Sequence, residues 1–168
     1  MRALAGEGGV TLEPQTAAHA AELFAVLDDP ELYVFTDDKG PASLAALTER
    51  LRRLESRRSP DGAEHWLNWV VRNAEGAVVG YVQATVRPSG EAEIAYVLGR
   101  AHWGWGFATR ACDAMLDALV DDYGVIRATA TLDPRNAASL ALLRRLGFSC
   151  VSSDSGANEV TYGRSLAR

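Results

Sequence analysis

Residues 92–111, AEIAYVLGRAHWGWGFATRA, have the pattern of a strand, a glycine turn and the start of a helix in direct succession. The first part, residues 93–98, is a mostly apolar run of strand length. Gly104 and Gly106 interrupt that run, and from Phe107 onward small and apolar residues recur at helical spacing. The segment therefore predicts a strand that leads into a helix through glycines.

A turn of this kind can hold a phosphate group. The first N–H groups of a helix have no partner within the helix, and the helix dipole adds partial positive charge at the same end. Glycines let a ligand approach the backbone because no Cβ stands in the way. We therefore expect a phosphorylated ligand here, and a tight turn without a ligand is the alternative that this segment alone leaves open.

Two common phosphate-binding loops do not fit the segment. A Walker loop needs a lysine and then a serine or threonine after its last glycine, and neither follows Gly106 in register. The dinucleotide fingerprint needs a third small residue, where this chain has Thr109. It also needs an acidic residue at the end of a second parallel strand, but the acidic residues near Asp122 precede the next strand. A nucleotide-binding domain is therefore disfavoured.

The sequence WGWGFATRA resembles the acetyl-CoA pyrophosphate loop of the GNAT N-acetyltransferase superfamily, whose core pattern is Gln/Arg-x-x-Gly-x-Gly/Ala. That pattern falls on Trp103, Gly106 and Ala108, with tryptophan in place of glutamine or arginine. This replacement, together with Gly104, is most similar to the branch that contains the ribosomal-protein alanine N-acetyltransferases, typically W-G-x-G-Y/F-A-T-E-A. Two positions depart from the branch pattern. Trp105 stands where lysine, arginine or glutamine is common, and Arg110 stands where glutamate is usual.

A second motif follows at residues 133–148, DPRNAASLALLRRLGF. It resembles the Asn-x-x-Ala/Ser…Gly-Phe segment of the same superfamily, a helix that flanks the other side of the cofactor. Asn136 is placed to cap this helix and Gly147 to follow its end. Leu140, Leu143 and Leu146 form its predicted buried stripe. The two motifs occur in the usual order and at the usual separation, so the resemblance covers nearly the whole chain.

The order of the elements predicts the fold. Early strands joined by tight turns indicate antiparallel pairing, and later strand–helix–strand units indicate parallel crossovers. We expect one α+β domain over residues 1–168, with a GNAT-like, mixed and twisted sheet of about seven strands flanked by about four helices. The predicted helices run from Thr16 to Leu27, from Ser43 to about Arg58, from Phe107 to about Asp122, and from Asn136 to Leu146.

Composition sets bounds on function. A chain of 168 residues with 48% hydrophobic residues suits one ordinary globular domain. The net charge of −5 and the pI of about 5.2 disfavour a nucleic-acid partner. A local basic run is predicted to be the solvated face of the second helix, with a docking face for an acidic partner as the alternative. It comprises Arg50, Arg52, Arg53, Arg57 and Arg58.

The remaining sequence signals are mostly negative. Cys112 and Cys150 have no short spacing, so we expect neither a metal clip nor a disulfide framework. The three histidines show no metal-ligand spacing, and we expect no metal site. No apolar stretch reaches the roughly 18 residues that a membrane span needs. The N-terminal residues lack a signal-peptide core, so we expect a cytoplasmic location without a membrane partner.

The resemblance implies acetyl-CoA as co-substrate. Its pantetheine arm is expected along the backbone of the strand before the glycine turn, and its pyrophosphate on the N–H groups of the turn. The implied cofactor-binding residues are Tyr96, Val97, Leu98, Trp103, Gly104, Trp105, Gly106, Phe107, Ala108, Thr109, Asn136 and Ser139.

The resemblance also implies two catalytic residues. Glu93 matches the position of the catalytic glutamate in the histone-acetylating branch, and its alternative is an ordinary strand carboxylate such as Glu91. Ser139 occupies the position from which a hydroxyl could bond the CoA sulfur, and its alternative is an ordinary residue of the helix. Many GNAT enzymes have a tyrosine acid four residues before the Gly-Phe pair, where this chain has Leu143.

The implied activity is transfer of the acetyl group from acetyl-CoA to a primary amine, by direct attack in a ternary complex. The acceptor, a protein N-terminus or a small amine, is not identified by the sequence. The alternative is a catalytically silent module that binds or senses acyl-CoA. A homodimer is a candidate assembly. Candidate residues lining the acceptor pocket are Tyr33, Phe35, Trp66, Trp69 and Gln83, and a place in the core is the alternative for the aromatic residues among them.

Overall fold

The computed structural model describes residues 1–167, and over that range it contains eight strands and four α-helices. The strands are β1 (Leu4–Ala5), β2 (Thr11–Pro14), β3 (His65–Arg72), β4 (Val78–Val86), β5 (Glu91–Leu98), β6 (Arg127–Leu132), β7 (Ser149–Asp154) and β8 (Glu159–Ser165). The helices are α1 (Ala20–Leu27), α2 (Leu44–Leu54), α3 (Phe107–Tyr123) and α4 (Ala137–Arg145). None of these helices, within residues 1–167, is both long and apolar enough to cross a lipid bilayer.

The expected class and helix number are confirmed, and the sheet has one strand more than the seven expected. The additional strand is the two-residue β1, which pairs with β2 at the edge of the sheet. The domain was expected to end at Arg168, which lies outside the described residues.

The eight strands form one sheet in the order β1-β2-β3-β4-β5-β6-β8-β7. Neighbouring strands are antiparallel except β5 and β6, which are parallel and joined by α3. This connection is the crossover that the sequence predicts. β6 and β7 also run in the same direction, because both are antiparallel to β8, but β8 lies between them.

Strands β5 and β6 share only a short stretch of pairing. Their register covers three residue pairs, from Glu91 opposite Arg127 to Glu93 opposite Thr129. Past that point β5 continues to pair with β4 as far as Leu98, while β6 continues to pair with β8 as far as Leu132. The two strands therefore separate toward their carboxyl ends. We call the opening between residues 94–98 of β5 and residues 130–132 of β6 the strand cleft.

Helices cover the sheet on both faces. The larger core lies beneath α3 and α4, and the smaller core lies beneath α1 and α2. Fully buried members of the larger core include Trp69, Val82, Met115 and Leu143. Members of the smaller core include Leu23, Leu47, Leu51 and Val70. Because side chains alternate along a strand, β3, β4 and β5 each contribute to both cores.

Helix α2 is shorter than the sequence predicts. Ser43 caps it as expected, since its Oγ accepts a hydrogen bond of 3.0 Å from the N–H of Ala46. The helix ends at Leu54 rather than near Arg58, because the backbones of Arg57 and Arg58 pair with the start of β3. Arg57 has a φ of 55° and its carbonyl accepts a hydrogen bond from Trp66, beside a β-bridge between Arg58 and His65.

Candidate functional site

The loop between β5 and α3 has the conformation that the glycine pattern predicts. A 3-10 turn at Arg100–His102 precedes it, and α3 begins at Phe107. Gly104 and Gly106 have φ values of 78° and 77°, in the left-handed region that favours glycine. Gly106 is the N-cap of α3 and offers no side-chain cap, so the first N–H groups of the helix are available to a ligand. We call residues 103–106 the glycine loop.

The tryptophan at the start of the glycine loop is tied to β5. The Nε1 of Trp103 donates a hydrogen bond of 2.8 Å to the carbonyl oxygen of Leu98. Trp105, in contrast, is 70% exposed. Its position in the family pattern is therefore filled here by an apolar ring that faces solvent.

Arg110 reaches back to the glycine loop, a contact that the sequence did not predict. Its Nη2 donates a hydrogen bond to the carbonyl oxygen of Trp105, and its guanidinium lies 5.3 Å from the centre of the Phe107 ring. Gly8 packs closely against the same guanidinium, since a Cβ added at Gly8 would lie only 2.5 Å from Nη1. The Nε is buried and has no hydrogen-bond partner among the described residues. Arg110 therefore brings positive charge to the N-terminus of α3.

The backbone of β5 presents hydrogen-bonding groups to the strand cleft. The N–H of Gly99 donates to the carbonyl of Val79 on the β4 side, at 2.9 Å. Because backbone N–H groups alternate in direction along a strand, that of Val97 also points toward β4. Those of Tyr96 and Leu98 point the other way, into the strand cleft. These two are the groups on β5 that can hold an extended ligand arm.

Helix α4 borders the strand cleft on the side of the larger core. Asn136 caps it as predicted, because its Oδ1 accepts a hydrogen bond of 3.1 Å from the N–H of Ser139. The hydroxyl of Tyr96 donates to the carbonyl of Ser139 at 3.4 Å, so the first turn of α4 faces β5. Gly147 follows the helix with a φ of 79°, as expected, and Leu143 is fully buried.

Glu93 lies on the opposite face of β5 from Tyr96. It shares the face of α1 and α2 with Val97, which packs against the smaller core. Its Oε2 accepts a hydrogen bond of 2.8 Å from Nη2 of Arg87. Glu91, on the same face, has longer contacts, at 3.5 Å with the hydroxyl of Ser89 and at 3.9 Å with Nη1 of Arg127. A base at Glu93 would therefore work from one side of the sheet, and a donor on α4 from the other.

Two of the five candidate acceptor-pocket residues lie on the same sheet face as Glu93. Trp66 lies opposite Thr85 on β4, which in turn lies opposite Glu93 on β5. Since neighbouring strands are about 4.8 Å apart, the backbones of Trp66 and Glu93 are separated by about 10 Å. Gln83 lies in the next row of this face, opposite Ala95. Both side chains are partly exposed, as a pocket floor requires.

The loop between α1 and α2 places the next two candidates. Tyr33 is partly buried, and its hydroxyl donates a hydrogen bond of 2.9 Å to the carbonyl of Leu27. Burial raises the pKa of Tyr33 to about 12. Phe35 is 38% exposed, and its ring lies 5.9 Å from the guanidinium of Arg135, just before α4. The loop therefore extends toward the α4 side of the molecule.

For Trp69 the structure supports the alternative, a place in the core. This residue is 1% exposed, packs in the larger core, and donates from Nε1 to the carbonyl of Arg2 at 3.1 Å. Because Trp66 and Trp69 are three residues apart on one strand, they project to opposite faces of the sheet. Only Trp66 shares a face with Glu93.

The cysteines occupy different environments. Cys112 is fully buried on α3, which raises the pKa of its thiol, while Cys150 is exposed on β7. Among residues 1–167, no group of three or more His, Cys, Asp or Glu side chains is arranged to hold a metal ion.

Comparisons with known proteins agree with this architecture. The family model of the acetyltransferase (GNAT) domain matches residues 10–149. Over 60 residues the chain is 42% identical to p20, an uncharacterized N-acetyltransferase of Bacillus licheniformis. That match covers 36% of this chain and only 34% of the relative.

Two solved structures show the same fold at low sequence identity. The ribosomal-protein-S5-alanine acetyltransferase of Vibrio fischeri is 18% identical, with a TM-score of 0.80 and 96% of each chain covered. RimJ of Mycobacterium smegmatis, solved with a CoA disulfide, is 22% identical, with a TM-score of 0.81. The match covers 98% of this chain and 86% of RimJ.

Proposed function

Because the chain belongs to the acetyltransferase (GNAT) domain family, we propose that it is an acetyl-CoA-dependent N-acetyltransferase. It moves the acetyl group from the CoA thioester to a primary amine, on a protein N-terminus or a small molecule, by direct attack in a ternary complex. One observation carries this proposal. The strand cleft opens at the carboxyl end of β5, where the chain turns through the glycine loop into α3.

The residues present suit a ligand with a pyrophosphate and an extended arm. The N–H groups of residues 105–109 would hold the pyrophosphate, because Gly106 leaves the helix N-terminus uncapped by any side chain. The cleft-side N–H groups of Tyr96 and Leu98 would hold the pantetheine arm. Arg110 adds a cation beside the loop, which favours a ligand carrying several negative charges.

Acetyl transfer from a thioester to an amine needs a neutral amine and a stabilised oxyanion, and the departing thiolate is helped by a proton. Glu93 would take a proton from the amine on the face of α1 and α2. A cleft-side N–H group of β5 would polarise the thioester carbonyl. On the other face, the hydroxyl of Ser139 would hydrogen-bond the sulfur. The amine therefore approaches from one side of β5 and the thiolate leaves on the other.

Two measurements test the proposal. Calorimetry should detect binding of acetyl-CoA and of CoA but not of ATP or NAD, because the loop lacks the Walker lysine. CoA release should then be measured with a pool of amines and of peptides with free N-termini. Release that depends on an amine supports the transferase. Tight acetyl-CoA binding without amine-dependent release from any acceptor would favour the catalytically silent acyl-CoA module instead.

A further inference from the structure

The side chain of Tyr96 projects to the face of β5 on which the proposed reaction releases the thiolate. We infer that its phenol is the general acid of the reaction, an inference that rests on the proposed function. Tyr96 projects from β5 to the face of α3 and α4, and its hydroxyl lies 3.4 Å from the carbonyl oxygen of Ser139. It therefore spans from the strand that would hold the pantetheine arm to the first turn of α4.

The neighbouring side chains on this face of β5 show that Tyr96 is the one that borders the opening. Ala92, Ile94 and Leu98 share its face and are buried in the larger core. Tyr96 packs against the same core but stays partly exposed. Its ring is thus fixed by packing, while its hydroxyl lies against the first turn of α4, which borders the strand cleft.

Helix α4 carries no acid at position 143, and the hydroxyl of Ser139 is the alternative donor on this helix. Leu143 is fully buried and has no proton to donate. Long side chains on a helix lean toward its N-terminus, over the residue four positions earlier. A hydroxyl carried by residue 143 would therefore lie near Ser139, and the Tyr96 hydroxyl reaches that turn from the opposite strand.

The protonation state and bonding of Tyr96 suit a donor. Burial raises the pKa of its phenol, so the group carries its proton at neutral pH, and the same desolvation makes a thiolate formed beside it more basic, which the transfer requires. The titratable group that faces it from α3 is the buried thiol of Cys112, which is also protonated. The bond to Ser139 is long for an O–H donor, so the phenol can turn to a better acceptor at small cost.

The proposed step balances as follows. The amine nitrogen forms a bond to the thioester carbonyl carbon, and the tetrahedral intermediate collapses with cleavage of the C–S bond. The electron pair of that bond goes to sulfur, which takes the phenol proton of Tyr96. Glu93 holds the proton lost by the amine and returns it to the phenolate through solvent, so the enzyme is restored.

The test compares Tyr96→Phe with the wild type. This change keeps the ring and removes only the hydroxyl, so packing is retained. Acetyl-CoA affinity should stay within about twofold, and kcat should fall about 10- to 100-fold. This is below the roughly 10²- to 10⁴-fold that is usual for a proton donor, because a thiolate is a fair leaving group. The solvent deuterium isotope effect on kcat should also decrease, which a merely structural role would not cause. Tyr123→Phe, at the far end of α3, is the matched control and should change none of these quantities.

The outcomes separate this inference from the proposed function. A wild-type protein that neither binds acetyl-CoA nor releases CoA would overturn the proposed function itself. An active wild type with an unchanged kcat in Tyr96→Phe would overturn the inference alone. A lowered kcat with an unchanged isotope effect would also overturn it. If Ser139→Ala, rather than Tyr96→Phe, removes the isotope effect, the donor is Ser139 and the inference is wrong.

Discussion

The indole of Trp103 donates its Nε1 proton to the carbonyl oxygen of Leu98, at 2.8 Å, and so closes the glycine loop onto the strand that precedes it. That carbonyl lies on the cleft side of β5, as does the N–H of Leu98, because the two groups of one residue point the same way in a strand. The bond uses the carbonyl oxygen of Leu98 and leaves the N–H of Leu98 to bind a ligand. The last residue of β5 and the first residue of the loop are thus held in fixed relation.

Gly106→Asp should weaken acetyl-CoA binding by well over tenfold. The change adds a Cβ at a φ of 77° and a negative charge where the phosphates are expected. Calorimetry measures the affinity. Gly76→Asp is the matched control, since Gly76 has a φ of 82° in the turn between β3 and β4 and open space around it. Gly76→Asp should lower the free energy of unfolding about as much as Gly106→Asp does, but it should leave the affinity for acetyl-CoA unchanged. Unchanged binding in folded Gly106→Asp would remove the pyrophosphate site from this loop.

Glu93→Gln should lower kcat more than it raises the KM for acetyl-CoA, with the largest loss near neutral pH. A base acts in the chemical step and not in cofactor binding. Steady-state kinetics across pH measure both parameters. Glu91→Gln is the control, because Glu91 shares the sheet face and a similar exposure but lies two residues further from the glycine loop. Equal losses in both variants, or none in either, would assign the proton transfer to water or to another group.

Ser139→Ala should slow acetyl transfer by roughly 5- to 150-fold while the fold stays intact, because one hydroxyl donor is worth about 1–3 kcal/mol when its partner is left unpaired. We expect the lower half of that range, since a thiolate is a fair leaving group. The cap of α4 is kept, because Asn136 bonds the backbone N–H of residue 139. Thermal unfolding checks the fold, and single-turnover rates check the chemistry. Full turnover would show that Ser139 serves only the helix.

Arg72→Gln should lower stability near neutral pH by on the order of 1 kcal/mol, and the difference should shrink in acid. Arg72 bonds Glu13 through Nε at 2.9 Å and Glu22 through both Nη atoms at 2.7 and 3.0 Å. These bonds hold the pKa of both carboxyls below their usual 4.5. The stabilisation is therefore complete above pH 4.5 and is lost as pH falls further.

Denaturant melts of wild type and Arg72→Gln at pH 7 and near pH 3 measure that dependence. Both carboxylates are more than a third exposed, so solvent screening keeps the effect modest. Arg52→Gln, which removes an exposed pair with Glu49 within α2, should be nearly neutral at both pH values. A difference between wild type and Arg72→Gln that is the same at pH 3 and pH 7 would contradict the linkage.

Features set by local chemistry were predictable from the sequence. The glycine turn before Phe107 and the caps at Ser43 and Asn136 depend on residues a few positions apart, and the structure confirms each of them. The spacing of Trp66 and Trp69 also carried a usable signal, because an odd separation on one strand means opposite faces. The spacing did not show which of the two tryptophans packs in the core.

Features set by distant contacts were not predictable. β1 has two residues and exists through its pairing with β2, so no run of apolar residues marks it. The end of α2 depends on the bridge from Arg58 to His65, across a turn. Arg110 looked like a departure from the family pattern. Its position against Gly8 follows from packing between the N-terminal segment and α3, which one sequence does not encode locally.

The short stretch of pairing between β5 and β6 also divides the sheet into two parts that can open separately. On one side, β1 to β5 pair in chain order, so their ladder is built from contacts between successive strands. On the other side, β6 to β8 form a smaller ladder held to the first by three residue pairs. Native-state hydrogen exchange should therefore resolve two cooperative units, with the smaller one opening at lower free energy. A ligand that bridges the cleft would couple the two units and slow exchange on both sides, at amides it never touches.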